Sequence, residues 1–138
     1  MEERYYLDTS IWMDIYEDRI GYNGEKLWEF ALKLLVLIKS KKQKLIISDL
    51  LIRELETHYS MEKINGMMKL FENELEKIFA TKEQRDEAIK ISNEREVPMG
   101  DALHAIIARD NNLILVTRDK HFLKLTDIAE YYKPEELI

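Results

Sequence analysis

Three short, unbroken apolar runs, each halted by an acidic residue, organise this chain. Tyr5-Tyr6-Leu7 stops at Asp8-Thr9-Ser10, Leu45-Ile46-Ile47 at Ser48-Asp49, and Leu113-Ile114-Leu115-Val116 at Thr117-Arg118-Asp119. Apolar runs of this kind, without polar alternation, are the pattern of parallel strands covered on both faces. They predict strands at residues 4–8, 44–48 and 113–116. Between them the period becomes helical. Ile11, Trp12, Ile15 and Tyr16 share one short helix, with Thr9 or Ser10 as its cap. Gly21-Tyr22-Asn23-Gly24 reads as a turn. Leu27, Phe30, Ala31, Leu34, Leu35 and Ile38 form the stripe of a longer helix. Ser48 or Asp49 caps a helix running to about Tyr59. Residues 61–74 read as another, striped by Met61, Ile64, Met68 and Phe71. Leu75 to Phe79 fits either an extension of that helix or a short strand. Lys82 to Arg95 is helical, and Val97-Pro98-Met99-Gly100 is a loop. Asp101 opens a helix to Arg109 that is apolar on most sides, as a buried helix is. His121 to Leu125 reads as one helical turn, Tyr131-Tyr132 as an edge strand, and Pro134 as the start of a terminal turn. Strands alternating with helices predict an α/β fold with a mainly parallel central sheet. Part of the long helical stretch from Asp49 to Arg95 is expected to project as a pair of helices beyond it.

Length and composition add bounds. At 138 residues the chain fits one domain over 1–138, and 46% hydrophobic with 35% charged residues marks it as globular rather than disordered. No apolar run approaches a membrane span. Met1-Glu2-Glu3-Arg4 leads straight into a strand, so no signal peptide is expected, and the cytoplasm is the default location. The absence of Cys excludes disulfides, thiolate chemistry and Cys-based zinc sites. A net charge of −6 argues against a protein that coats nucleic acid by bulk electrostatics, but not against a nuclease with local basic groups. The one dense basic run, Lys39, Lys41, Lys42 and Lys44, suits a solvated helix end better than an RNA contact.

The acids carry the chemistry. Open parallel sheets place their sites beyond the carboxyl ends of the strands. Asp8 and Asp119 follow strands, Glu54 lies about one and a half turns into a helix that follows one, and Asp101 opens a helix whose dipole favours its ionised form. These four carboxylates are thus expected to meet at one sheet edge. Unit charges 4 Å apart repel by about 4 kcal/mol at an effective dielectric of 20. Such a group needs a cation or shared protons, and hard oxygen ligands suit Mg²⁺ or Mn²⁺. Thr117 offers a hydroxyl to a metal-bound water or to Asp119. Asp49 reads as a cap rather than a ligand. Asp14, near the site or facing water, is left open. His104 lies one turn after Asp101 and reads as packed and hydrogen-bonded rather than as a ligand, and His58 and His121 as structural or exposed. Trp12, Trp28, Tyr131 and Tyr132 read as packing rather than base stacking, and Met61, Met67 and Met68 as packing or a dimer contact. A divalent ion in such a cluster activates water, polarises a phosphoryl oxygen and stabilises a leaving group, which is the need of phosphodiester hydrolysis.

At these residues the chain resembles the PIN-domain family, including its VapC-type toxin ribonucleases. The matching segments are Leu7-Asp8-Thr9-Ser10, Ser48 through Glu54-Leu55, Gly100-Asp101-Ala102-Leu103-His104-Ala105, and Val116-Thr117-Arg118-Asp119-Lys120-His121-Phe122. Each segment alone is weakly specific. Their order through nearly the whole chain makes the match. The resemblance implies a PIN-like three-layer α/β/α sandwich and a Mg²⁺- or Mn²⁺-dependent endoribonuclease acting on RNA. It implies Asp8, Glu54, Asp101 and Asp119 as the catalytic, metal-holding acids, with Thr9, Ser10 and Thr117 as supporting polar groups. Family members commonly form homodimers, and the toxins are held inactive by a cognate antitoxin. Met61 to Phe79 matches no family motif. Arg4 and Arg118 lie near the proposed edge.

Three competing readings are weaker. A non-catalytic PIN-like module that binds RNA or protein would have little use for an intact acidic cluster. A response-regulator receiver needs an acidic pair after the first strand and a Lys after a late one, and Asp8 has no acidic neighbour. A haloacid-dehalogenase-like phosphatase needs Asp at position 10, where Ser10 stands.

Overall fold

The computed structural model describes residues 3–138. Five parallel strands form one sheet: β1 (Arg4–Leu7), β2 (Lys44–Ser48), β3 (Leu75–Ile78), β4 (Ile114–Val116) and β5 (Tyr131–Tyr132), in the spatial order β3-β2-β1-β4-β5. β1 is central. Tyr5 pairs with Leu45 on one side and Ile114 on the other. The order changes direction at β1, so the crevice beyond its carboxyl end is a topological switch point, where such sheets place ligands.

Side-chain alternation along β1 divides the core. Tyr5 and Leu7 face one side, with Leu45, Ile47 and Val116. Helices α1 (Thr9–Tyr16), α2 (Leu27–Ser40), α3 (Asp49–Glu56) and α4 (Met61–Lys69) cover that side with Ile11, Trp12, Leu34, Leu35, Leu51 and Ile64. Tyr6, Ile46 and Leu115 face the other, under α5 (Lys82–Arg95) and α6 (Met99–Asn111), together with a 3-10 turn at Lys120–Leu125 that inserts Phe122. The result is a three-layer α/β/α sandwich. Each fully buried Leu or Ile contributes about 1.5–3 kcal/mol, and α6 buries Ala102 through Ala108 without a break.

Several sequence expectations change in detail. Asp8, not Thr9 or Ser10, caps α1, accepting from the Ser10 N–H. Ser48 caps α3, and the Asp49 carboxylate instead accepts from the Ala80 N–H at 2.9 Å. Residues 75–78 are a strand, and the helix expected over 61–74 ends at Lys69. Instead of projecting, α4 sets Ile64 and Met68 into the core. α6 starts two residues before Asp101, at Met99. Among the described residues no helix is long and apolar enough to cross a membrane.

Candidate functional site

Asp8, Glu54, Asp101 and Asp119 line one cleft of about 380 Å³ at the carboxyl edge of the sheet, along with Thr9, Ser10 and His104. Each is fixed by its local structure. Asp8 follows β1 directly and is almost fully buried. One of its oxygens accepts from the Ser10 N–H at 2.9 Å and hydroxyl at 2.6 Å, the other from the Thr117 hydroxyl at 2.5 Å. Thr117 Oγ1 in turn accepts from the Asp119 N–H at 3.0 Å. One buried threonine, set by β4, therefore holds two of the acids in place. Thr9 serves Glu54, donating to Oε1 at 2.5 Å.

Glu54 rests on a second relay. His104 Nε2 lies 2.6 Å from the same Oε1, and His104 Nδ1 lies 2.6 Å from the Tyr6 hydroxyl. That hydroxyl is 2.6 Å from Ser48 Oγ, which accepts from the Leu51 N–H. His104 is buried with both ring nitrogens engaged. Gly100 leaves room for the other Glu54 oxygen, since a Cβ there would come within 2.6 Å of Oε2.

Burial and charge divide the acids. Burial pushes the Asp8 carboxyl up, against the charge of His104 and its Ser10 and Thr117 hydrogen bonds. Burial would do the same to Glu54, but the His104 hydrogen bond and charge, helped by Thr9, hold it below its ordinary value. Burial would lower His104, yet Glu54, Asp8 and Asp101 raise it. Asp101 is pushed up to about 7, by burial first and then by Asp119 and Asp8. Its Oδ2 is buried with no hydrogen-bond partner.

A tighter grouping joins two of the expected acids to a histidine that sequence spacing missed. Asp101, Asp119 and His121 each bring one ligand atom within 4.8 Å of the others. His121 Nδ1 lies 3.2 Å from Asp101 Oδ2 and 2.9 Å from Asp119 Oδ1. His121, two residues beyond Asp119 in the chain, is held beside it because Asp119 caps the 3-10 turn, accepting from the His121 N–H at 2.9 Å. The available signal was Asp-x-His directly after a buried strand. Asp8, with both oxygens engaged, and Glu54, with its Oε1 engaged, stand outside that grouping. Arg19 was also missed. Among the described residues lining the cleft it is the one arginine or lysine, 4.0 Å from Asp14 and 3.4 Å from Glu17.

Other candidates fall elsewhere. Arg4 sits at the amino end of β1, bonded to the Asn111 carbonyl, at the edge opposite the cleft. Arg118 is bidentate to Glu135 and 3.3 Å from Asp14, which is buried. It thus ties the C-terminal turn to α1 rather than reaching into the cleft. Lys41, Lys42 and Lys44 lie before or at the start of β2, again at the amino edge. Trp12 is core.

Residues 5–128 match the family model described as PIN domain. No curated protein matches the chain. Among solved structures, a chain of a toxin-antitoxin complex from Klebsiella pneumoniae aligns with a TM-score of 0.65 at 17% identity, covering 94% of this chain and 97% of that one. A chain of VapBC2 from Rickettsia felis, solved bound to a DNA fragment from its promoter, aligns with a TM-score of 0.66 at 21% identity over 94% of this chain and 98% of that one. A chain of FitAcB from Neisseria gonorrhoeae aligns with a TM-score of 0.61 at 15% identity over 95% and 98%. At such identities these likenesses speak to the fold alone. The family match spans nearly the whole sheet and every acid of the cleft, and by it the chain belongs to the PIN domain family.

Proposed function

We propose that this protein is a metal-dependent endoribonuclease that hydrolyses RNA phosphodiester bonds with Mg²⁺ or Mn²⁺. The observation that carries the reading is the convergence of Asp8, Glu54, Asp101 and Asp119 on one cleft at the switch point of the sheet. The donor set fits a hard divalent ion. Oxygen ligands predominate, and the orphaned Asp101 Oδ2 is a buried acceptor with no donor of its own. Asp101 and Asp119 would hold the ion, with Asp8 and Glu54 completing the acidic wall. Such an ion, when bound, lowers the pKa of water and draws charge from a phosphoryl oxygen.

The chain's own contribution is preorganisation. Ser10 and Thr117 fix Asp8, and Thr9 and His104 fix Glu54 in its ionised form. Carboxylates held in this way need little rearrangement when charge develops beside them. Arg19, at the rim, offers a phosphate its guanidinium.

The similarity to a chain of a toxin-antitoxin complex supports an extension of this reading, in which the enzyme is a toxin silenced by an antitoxin. By family analogy it would work as a homodimer in the cytoplasm.

The test is cleavage of varied RNAs in Mn²⁺, in Mg²⁺ and in EDTA, with Asp101→Asn as control. That change removes charge but little volume. Cleavage that needs both metal and Asp101 is the expected result. An active Asp101→Asn enzyme overturns the site. RNA binding that is equally tight with and without metal, and with no cleavage, favours a non-catalytic module.

A further inference from the structure

We propose that His121 is itself a ligand of the divalent ion, beside Asp101 and Asp119, and that its imidazole biases the site toward Mn²⁺ over Mg²⁺. The inference rests on the metal-dependent reading above and adds one nitrogen donor to an otherwise all-oxygen set.

Three observations support it. First, the imidazole is aimed at both acids. Nδ1 lies 3.2 Å from Asp101 Oδ2 and 2.9 Å from Asp119 Oδ1, and these three residues each bring one ligand atom within 4.8 Å of the others. Second, Asp101 Oδ2 remains without a hydrogen-bond donor although that nitrogen is close by. Nitrogen and oxygen are thus close without being paired as donor and acceptor, a spacing that leaves room for one ion to take both as ligands. Third, His104 and His121 have different jobs, and His58, which also lines the cleft, belongs to neither arrangement. His104 is buried and bonded through both nitrogens, to Tyr6 and Glu54, so it orients a carboxylate. The His121 side chain is 54% exposed, and its backbone N–H bond to Asp119 holds the residue beside that carboxylate.

Ligand chemistry supplies the bias. Mg²⁺ is a hard ion that keeps water and carboxylate oxygens around it. Mn²⁺ shares that preference for oxygen but, as a first-row transition ion, if the weakest binder of the series, it takes an imidazole nitrogen among its ligands at less cost than Mg²⁺.

The test reads the bound ion directly. Mn²⁺ is added to the full-length protein, its binding is titrated by electron paramagnetic resonance with Mg²⁺ as competitor, and the spin-echo modulation is inspected for directly coordinated imidazole ¹⁴N. The wild type, His121→Ala and Asp101→Asn are compared. The exposure of His121 makes the alanine variant a fold-neutral change, checked by its melting profile. The expected result is a nitrogen coupling that vanishes in His121→Ala, with a fall of about tenfold in Mn²⁺ affinity relative to Mg²⁺. Mn²⁺ binding that depends on Asp101 but shows no His121-dependent nitrogen, or an unchanged Mn²⁺ to Mg²⁺ ratio, overturns the ligand role and leaves the metal-dependent reading standing. Absence of any Asp101-dependent Mn²⁺ binding overturns both.

Discussion

Burial, with the charges of Asp119 and Asp8, pushes Asp101 up to about 7 from an ordinary 3.8. The consequence for the metal-free protein has a definite sign. Between those two values the folded chain holds a proton that the unfolded chain has released, so stability falls as pH rises through the window. The loss is complete above the folded value. Asp14, raised to about 6 by burial, adds to the lower part of the window. His104, also raised, acts in the same direction. In EDTA, the melting temperature is therefore expected to fall from about pH 5 to about pH 8. Asp101→Asn should show a shallower fall and should melt above the wild type at the alkaline end. Calorimetry across that range checks this, and an equal slope in both proteins would remove Asp101 as the source. The placement of Asp101 was legible in the sequence, because an acid in the first turn of a buried helix has few places to go. The His121 contact was not. It depends on a 3-10 turn that Asp119 caps, and a lone exposed histidine carries no periodic signal.

Elements were legible where burial dictated them. β1, β2 and β4 are covered on both faces, and their short, β-branched or aromatic apolar runs, each closed by a polar stop, read as strands where the longer Ala-rich run of α6 read as a helix. β3 was ambiguous because it is an edge strand, with Glu76 and Lys77 exposed in its middle. Its strand identity comes from pairing with β2, a tertiary fact. The cap of α3 shows what an element contributes to the site. Ser48 accepts from the Leu51 N–H, and its hydroxyl lies 2.6 Å from that of Tyr6, the first step of the relay to His104 and Glu54. Ser48→Ala removes a cap, at about 0.5–2 kcal/mol, and deprives a buried tyrosine of one partner. The expected result is a loss of about 1–2 kcal/mol in urea denaturation together with slower RNA cleavage, because α3 also carries Glu54. Ser48→Thr, which restores the hydroxyl, should recover most of the cap. A stability loss with undiminished cleavage would mean that the relay does not position Glu54.

Charge is arranged across the whole molecule. The acidic cleft occupies the carboxyl edge of the sheet, and the lysine run around β2 occupies the amino edge, so the strands separate the net −6 chain's densest basic run from its site. Sequence alone read those lysines as a solvated helix end rather than an RNA contact, and their place at the amino edge agrees with that reading. The fold instead sets Arg19 at the cleft. Its backbone is pinned by an N–H bond to the Asp14 carbonyl at 3.0 Å and by the Trp28 N–H on its own carbonyl at 3.3 Å. Its side-chain pairing to Glu17 is exposed and long, the kind worth little in water, and its other partner, Asp14, stands 4.0 Å away and is paired more closely with Arg118. A phosphate entering the cleft can therefore claim the guanidinium at small cost. Single-stranded RNA binding weakens with salt by about 0.7 in log slope for each phosphate neutralised. On the cleavage-deficient Asp101→Asn background, with a fluorescent RNA read by anisotropy, Arg19→Ala is expected to weaken binding and reduce the salt slope by about that amount. Lys41→Ala with Lys42→Ala should leave both unchanged, although it removes more charge. The opposite pattern would place the RNA strand on the amino edge, away from the acids, and would separate binding from the proposed chemistry.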